Sequence, residues 1–280
     1  MNIVTVNVGQ GSLSVVRHKN EAIIVDSRIP PTGDDTVAFV KQMFATALKD
    51  HYVKGLILTG FDDDHSDVTG AAIALQKYRP DWVMYPMCFK ETQEAKFVFE
   101  LIRDQEVTRR NSTKPLTKIP VRLDQLASRK LTGLSANFEL ELFSPHIEDM
   151  NSSNNCSIVL KLTGMGLGGF GYLITGDTES DRWKTISRLF GSALKSHVLA
   201  APHHGSANGI HPASLLHIDP HTVLISAGVG NQYGHPDAAA IKAYGRVAKY
   251  VFSTNMQGGV SLLTRAGQTE LTTTLISSTT

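Results

Sequence analysis

Three carboxylates and an imidazole crowd one short stretch, Gly60-Phe61-Asp62-Asp63-Asp64-His65. Like charges this close repel unless a cation or a helix N-terminus offsets them. A bound divalent metal is the economical explanation, and a solvated acidic turn that caps the next helix is the plain alternative. More residues of the same chemistry recur downstream: Asp177 after Thr175-Gly176, the pair His203-His204 in Pro202-His203-His204-Gly205-Ser206, and His235 in Tyr233-Gly234-His235-Pro236. Carboxylates and neutral imidazoles suit zinc or manganese, and a hydrolytic site leaves one coordination position for water. Each also has a local explanation. Asp177 could cap a helix, one histidine of the pair could be satisfied by backbone, His235 could be a turn residue before proline, and Asn154-Asn155 read as turn formers.

The elements around these residues explain why they would converge. The apolar run 55–59 reads as a buried strand of a mostly parallel sheet, followed at once by the acidic turn and then a helix from about Asp67, with Ser66 or Asp67 as its N-cap. Such turns lie at the carboxyl edge of a sheet, where open α/β folds place their ligands. Short β-branched runs at 3–8, 13–17 and 22–26 predict three consecutive strands, and 36–48 has a helical period. A strand at 82–85 and a helix over 91–107 follow. The second half repeats this style. Strands are predicted at 138–143, 157–162, 172–175, 197–201, 223–226, 250–253, 260–264 and 269–273, and helices at 180–193, 212–217 and 237–244. Antiparallel strands first and strand–helix alternation second, twice over, predict two sheets packed face to face with helices outside, a four-layer α/β (α+β) arrangement.

At 280 residues, with 41% hydrophobic and 19% charged side chains, the chain can bury a sizeable core as one large or two small domains. A formal net charge of +1 gives no global pull toward nucleic acid or membrane. Segment 103–130 is the exception, with eight basic residues against three acidic ones. It reads either as a solvated connection or as a flexible basic arm that meets phosphates. Two cysteines, Cys88 and Cys156, are too few for a disulfide framework, so a reducing compartment fits them best. No run approaches membrane-spanning length and the start lacks a leader pattern, so a soluble, cytoplasmic protein is expected.

Taken in order, Asn7-Val8-Gly9-Gln10-Gly11, Thr59 to Gly70, Asn154-Asn155-Cys156-Ser157, Thr175-Gly176-Asp177, Pro202-His203-His204-Gly205-Ser206, Tyr233-Gly234-His235-Pro236 and Phe252-Ser253-Thr254 span nearly the whole chain. As an ordered set they resemble the metallo-β-lactamase superfamily, specifically the hydrolase domain of ComEC-type DNA-uptake proteins. The resemblance implies a single domain over 1–280, an αββα sandwich with 103–130 as an insertion or connection, and a metal site at one edge. It implies metal ligands Asp62, Asp64, His65 and Asp177 with His203 or His204, for one or two zinc or manganese ions. Gly60 stands where the family usually has a ligand histidine, which depletes one of the two metal positions. The implied activity is metal-dependent hydrolysis. In it Asp64, or Asp62, orients the attacking water and His235 donates to the leaving group, with DNA or RNA as substrate. Hydrolysis of a small phosphodiester, lactone or β-lactam is the second expectation, and a degenerate binding protein is the third. No membrane partner is expected, and a larger assembly could recruit the chain through a protein partner.

Overall fold

The computed structural model describes residues 1–29, 34–88, 90–125, 127–263 and 272–276. Strands β1 (Asn2–Thr5), β2 (Ser14–His18) and β3 (Glu21–Val25) form an antiparallel meander. Strand β4 (Tyr52–Ile57) then joins β3 in parallel, followed by β5 (Trp82–Pro86) and β6 (Thr117–Val121). The second sheet repeats the plan, with β7 (Arg129–Leu131), β8 (Phe138–Ser144), β9 (Val159–Gly164) and β10 (Gly171–Ile174) antiparallel. Strands β11 (Val198–Ala200), β12 (Thr222–Ile225) and β13 (Tyr250–Ser253) continue it in parallel. Two late strands, β14 (Gly259–Leu263) and β15 (Thr272–Ile276), return to the first sheet beside β1.

The layering follows from the period of two along each strand. In β3, Ala22 and Ile24 face one apolar cluster while Ile23 and Val25 face another. Leu56 and Ile57 divide in the same way, as do Val198 and Leu199, and Val223 and Leu224. The middle cluster is shared by both sheets. Each outer cluster is closed by helices, with α1 (Asp34–Leu48), α2 (Val68–Ala72) and α3 (Gln93–Arg109) on the first sheet. Helices α4 (Ser180–Phe190), α5 (Pro212–Ile218) and α6 (Ala238–Tyr244) cover the second. Strands buried on both faces must be apolar almost throughout, which is why the central ones read as continuous hydrophobic runs. The four-layer arrangement read from the sequence is the one observed.

Segment 103–130 departs from the flexible-arm reading. It begins as the last turns of α3, continues as β6 and β7, and carries the chain from one sheet to the other. Several of its charges are used locally. Arg109 is buried and donates to the carbonyls of Pro80 at 2.7 Å and Lys114 at 2.9 Å, while Lys118 pairs with Glu106 at 2.8 Å and Arg122 with Asp124 at 2.9 Å.

Cys88 and Cys156 require a correction as well. They are joined in a disulfide, their Cα atoms 6.0 Å apart, rather than standing as the reduced thiols that a reducing compartment would keep. The pairing links the turn after β5 in the first sheet to the segment before β9 in the second, so nothing in their sequence spacing signals it. Among the described residues, no helix is long and apolar enough to cross a membrane.

Candidate metal centre

The strand-end turns of both sheets meet at one edge of the sandwich. After β4 the chain turns through Asp62-Asp63-Asp64-His65, closed by bonds from the backbone N–H groups of His65 (2.8 Å) and Ser66 (3.0 Å) to the carbonyl of Asp62. Asp67 then caps α2, its carboxylate accepting from the Gly70 N–H at 2.8 Å. Ser12 N–H donates to the Asp64 carbonyl at 2.7 Å, and Gly11 sits so close that a Cβ there would lie 2.6 Å from that oxygen. The turn is therefore held from both sides and aims Asp64 and His65 inward.

Three turns of the second sheet face it. After β10, Asp177 N–H donates to Ser157 Oγ at 2.9 Å. After β11, His203 and His204 both adopt left-handed backbone conformations, with φ of 50° and 53°. That conformation costs roughly 1–2 kcal/mol per residue outside glycine, so the surrounding structure must impose it. It does so through His203 N–H to the Gly176 carbonyl (3.0 Å) and Ser206 N–H to the His203 carbonyl (2.7 Å). His204 Nδ1 donates to the Ser226 carbonyl, at the end of β12, at 2.8 Å.

One potential donor atom from each of Asp64, His65, Asp177 and His204 lies within 4.8 Å of all the others. His65 Nε2 is 2.8 Å from Asp177 Oδ1, and His204 Nε2 is 3.3 Å from Asp64 Oδ2 and 3.5 Å from Asp177 Oδ1. These approaches lack hydrogen-bond alignment. His65 Nε2, Asp177 Oδ1 and His204 Nε2 are all buried without a hydrogen-bond partner. Buried polar atoms are ordinarily satisfied, so three that converge on one point fit a cation, and two imidazoles with two carboxylates suit zinc or manganese. The protonation balance agrees. Burial opposes charge on His65 and His204, yet the adjoining carboxylates outweigh it and hold both imidazole pKa values above the ordinary range. Burial likewise opposes ionisation of Asp64 and Asp177, and the imidazoles outweigh it and push both carboxyl groups down. The cluster asks for positive charge.

His65 is oriented from behind by a residue that the sequence reading did not single out. Asp26, at the end of β3, is buried and has a φ of 57°. Its carboxylate accepts from His65 Nδ1 (3.0 Å), the Thr59 N–H (2.7 Å) and the Thr59 hydroxyl (2.9 Å). With Nδ1–H engaged, His65 presents the lone pair of Nε2 to the cluster, a common arrangement for ligand imidazoles. The available signal was a lone carboxylate directly after the apolar run 22–25. Asn154 and Asn155 brace the Asp177 turn, through Asn154 Nδ2 to Glu179 (3.0 Å) and Asn155 Oδ1 from the Glu179 N–H (3.0 Å).

Other candidate residues stand outside the group of four. His203 Nε2 is 4.0 Å from Asp177 Oδ2, and its Nδ1 is 3.6 Å from Glu179. Asp62 is half-buried at the cleft wall, where burial first, and then the nearby Asp64 and Asp177, raise its pKa. His235 lies 3.6 Å from Asp237 through Nδ1, its ring centroid 5.7 Å from that of His203. Burial, helped by His203, lowers its pKa and favours the neutral ring. Above the cluster opens a cleft of about 570 Å³ lined by Arg28, Asp62, Asp64, Lys90, Asn154, Asp177, His203, His204, Tyr233 and His235 among others.

Two face-to-face sheets with helices outside, and a carboxylate–imidazole cluster gathered at one edge, decide the architecture. The fold is a four-layer αββα sandwich of the metallo-β-lactamase-like kind. The metallo-β-lactamase fold protein YhfI from Bacillus subtilis covers 90% of this chain and 96% of its own, at 12% identity and a TM-score of 0.48. A mutant of the CmlA β-hydroxylase covers 93% of this chain and 53% of its own, at 12% identity and a TM-score of 0.53. In sequence, the chain is 28% identical over 217 residues to ComE operon protein 3 of Bacillus subtilis. That alignment covers 78% of this chain and 25% of the relative, so the chain matches about a quarter of that protein's length. No family model matches the chain.

Proposed function

We propose that this chain is a metal-dependent phosphodiesterase that cleaves nucleic acid. The observation that carries the proposal is the convergence of Asp64, His65, Asp177 and His204, with three buried donor atoms lacking hydrogen-bond partners, on the floor of an open cleft. A zinc or manganese ion supplies there, when bound, a Lewis acid and water of lowered pKa. The protein's own groups provide the rest. Asp64, with its pKa held low, accepts a hydrogen bond from the attacking water and orients it. His235, favoured as the neutral ring, offers an N–H to the leaving oxygen. Arg28 and Lys90 line the same cleft and attract a phosphodiester. The resemblance to ComEC-type domains and the 28% identity with ComE operon protein 3 support nucleic acid as the substrate. Gly60 leaves the four-ligand set complete, so its missing side chain argues for one tightly held ion and not for an inert protein.

One observation favours a second reading. Residues 103–130 are absent from the described cleft lining, and Lys118 and Arg122 pair with Glu106 and Asp124 of their own segment, as suits a small phosphodiester. The deciding experiment measures metal content by mass spectrometry, then hydrolysis of single-stranded DNA, duplex DNA, RNA and a chromogenic phosphodiester with manganese, zinc or magnesium. His65→Ala and Asp177→Ala are expected to lose metal and all hydrolysis. Cleavage of the chromogenic diester alone would move the reading to the small substrate, and stoichiometric metal in His65→Ala would refute the site.

A further inference from the structure

The loop between β12 and α6 carries two large exposed side chains, Val229 (78% exposed) and Tyr233 (58%), and Tyr233 lines the cleft. Its shape is fixed. The Asn231 amide nitrogen donates to the carbonyls of Gly228 (2.9 Å) and His235 (2.5 Å). The Asn231 amide oxygen accepts from the N–H groups of Tyr233 and His235, each at 3.1 Å. At its base, Gly228 N–H donates to Gln10 Oε1 at 3.3 Å, and a Cβ on Gly228 would stand 2.5 Å from the Gln10 backbone nitrogen.

On this scaffold the aromatic rings form a staircase. Tyr233 stacks on His235, centroids 5.9 Å apart and planes 18° apart, and His235 meets His203 edge-on at 5.7 Å. His203 in turn approaches Asp177 at 4.0 Å. A row of aromatic rings thus runs from solvent toward the carboxylate–imidazole cluster, with Tyr233 outermost, and the cations Arg28 and Lys90 line the same cleft. Holding a large ring rigid and exposed beside cations and a hydrolytic cluster suits a ligand with a flat π-face next to a phosphate.

We propose that Tyr233 is the base-stacking residue of the cleft, receiving an unpaired nucleobase that flanks the scissile phosphodiester, so that substrate enters as a single strand. The inference rests on the phosphodiesterase reading above and narrows it. A base in a duplex has both faces covered by its neighbours and cannot lie on Tyr233 without being unstacked. The cluster is buried, with His65 3% and His204 4% exposed, so the phosphodiester must be lowered into the cleft, which a single strand does without unpairing.

The test compares a short labelled single strand with one that carries abasic sugars around the cleaved position, measuring Kd by anisotropy and KM by cleavage, in wild type, Tyr233→Ala and Tyr233→Phe. Wild type is expected to prefer the base-bearing strand by about 5- to 150-fold, Tyr233→Ala to erase that preference, and Tyr233→Phe to retain it. Equal handling of the two strands by wild type would overturn the inference even if Tyr233→Ala failed to fold. Cleavage with undiminished preference in Tyr233→Ala would overturn the stacking role and leave the nuclease reading standing. A wild type that binds no strand and hydrolyses only a small diester would overturn both.

Discussion

Asp26 touches none of the reacting groups in this reading, yet it fixes the tautomer and direction of His65 through its bond to Nδ1. Removal of such a supporting carboxylate weakens metal binding by about 10–100-fold. Asp26→Asn keeps the volume and hydrogen bonding to Thr59 but loses the charge behind the imidazole. Competition with a chromophoric chelator is expected to show a loss of affinity in that range, and wild-type affinity would reduce Asp26 to a packing residue. Gly60 offers the reverse experiment, since a Cβ there meets nothing closer than the His65 ring at 3.9 Å. Gly60→His is expected to raise metal content from one ion per chain toward two, read by mass spectrometry. Asp64, His65, Asp177 and the histidine pair, which the structure gathers at one edge, were legible because each falls in a turn that follows an apolar strand and carries a metal-binding type of side chain. Which histidine faces the cluster was not, because that depends on two consecutive left-handed residues, a backbone state that histidine does not advertise. Asp26 escaped for a similar reason, its role arising from a bond across 39 positions of sequence.

Glycine in an early helical turn is ordinarily replaced by alanine with a gain of up to about 1 kcal/mol. Gly70 in α2 reverses that sign, because a Cβ would stand 1.6 Å from the Ser27 carbonyl oxygen. Ser27 follows Asp26 and donates its N–H to the His65 carbonyl at 2.8 Å, so the clash falls on the backbone that positions His65. Gly70→Ala is expected to lower stability by about 1–3 kcal/mol, the usual cost of overpacking, and to weaken metal binding with it. Gly60→Ala, with open space around its Cβ, should do neither; chemical denaturation of the two variants side by side separates the cases. At this scale the apolar strands were readable from their runs, and α2 from its Asp67 cap. Strands β6 and β7 were not. β6 is an edge strand that is partly exposed and contains Pro120, and β7 is three residues long, so neither presents enough buried alternation to show a period.

The two sheets share one apolar layer but are also joined covalently, by Cys88 in the turn after β5 and Cys156 ahead of β9. Closing a loop across 68 residues removes entropy from the unfolded chain, worth roughly 4 kcal/mol in the chain-entropy account. That is a large share of the roughly 5–15 kcal/mol by which domains are ordinarily stable. The staple also stands next to Ser157, whose Oγ receives the Asp177 N–H at 2.9 Å, so its loss should loosen a carboxylate that approaches both His65 and His204. Reduction is therefore expected to lower the denaturation midpoint and weaken metal binding together. Cys88→Ser with Cys156→Ser should reproduce both effects and respond no further to reductant. Thiol titration of the unreduced, unfolded protein supplies the independent check. Two free thiols there, with a midpoint indifferent to reductant, would show that the sandwich is held by its apolar layers alone and that the cysteines are reduced after all.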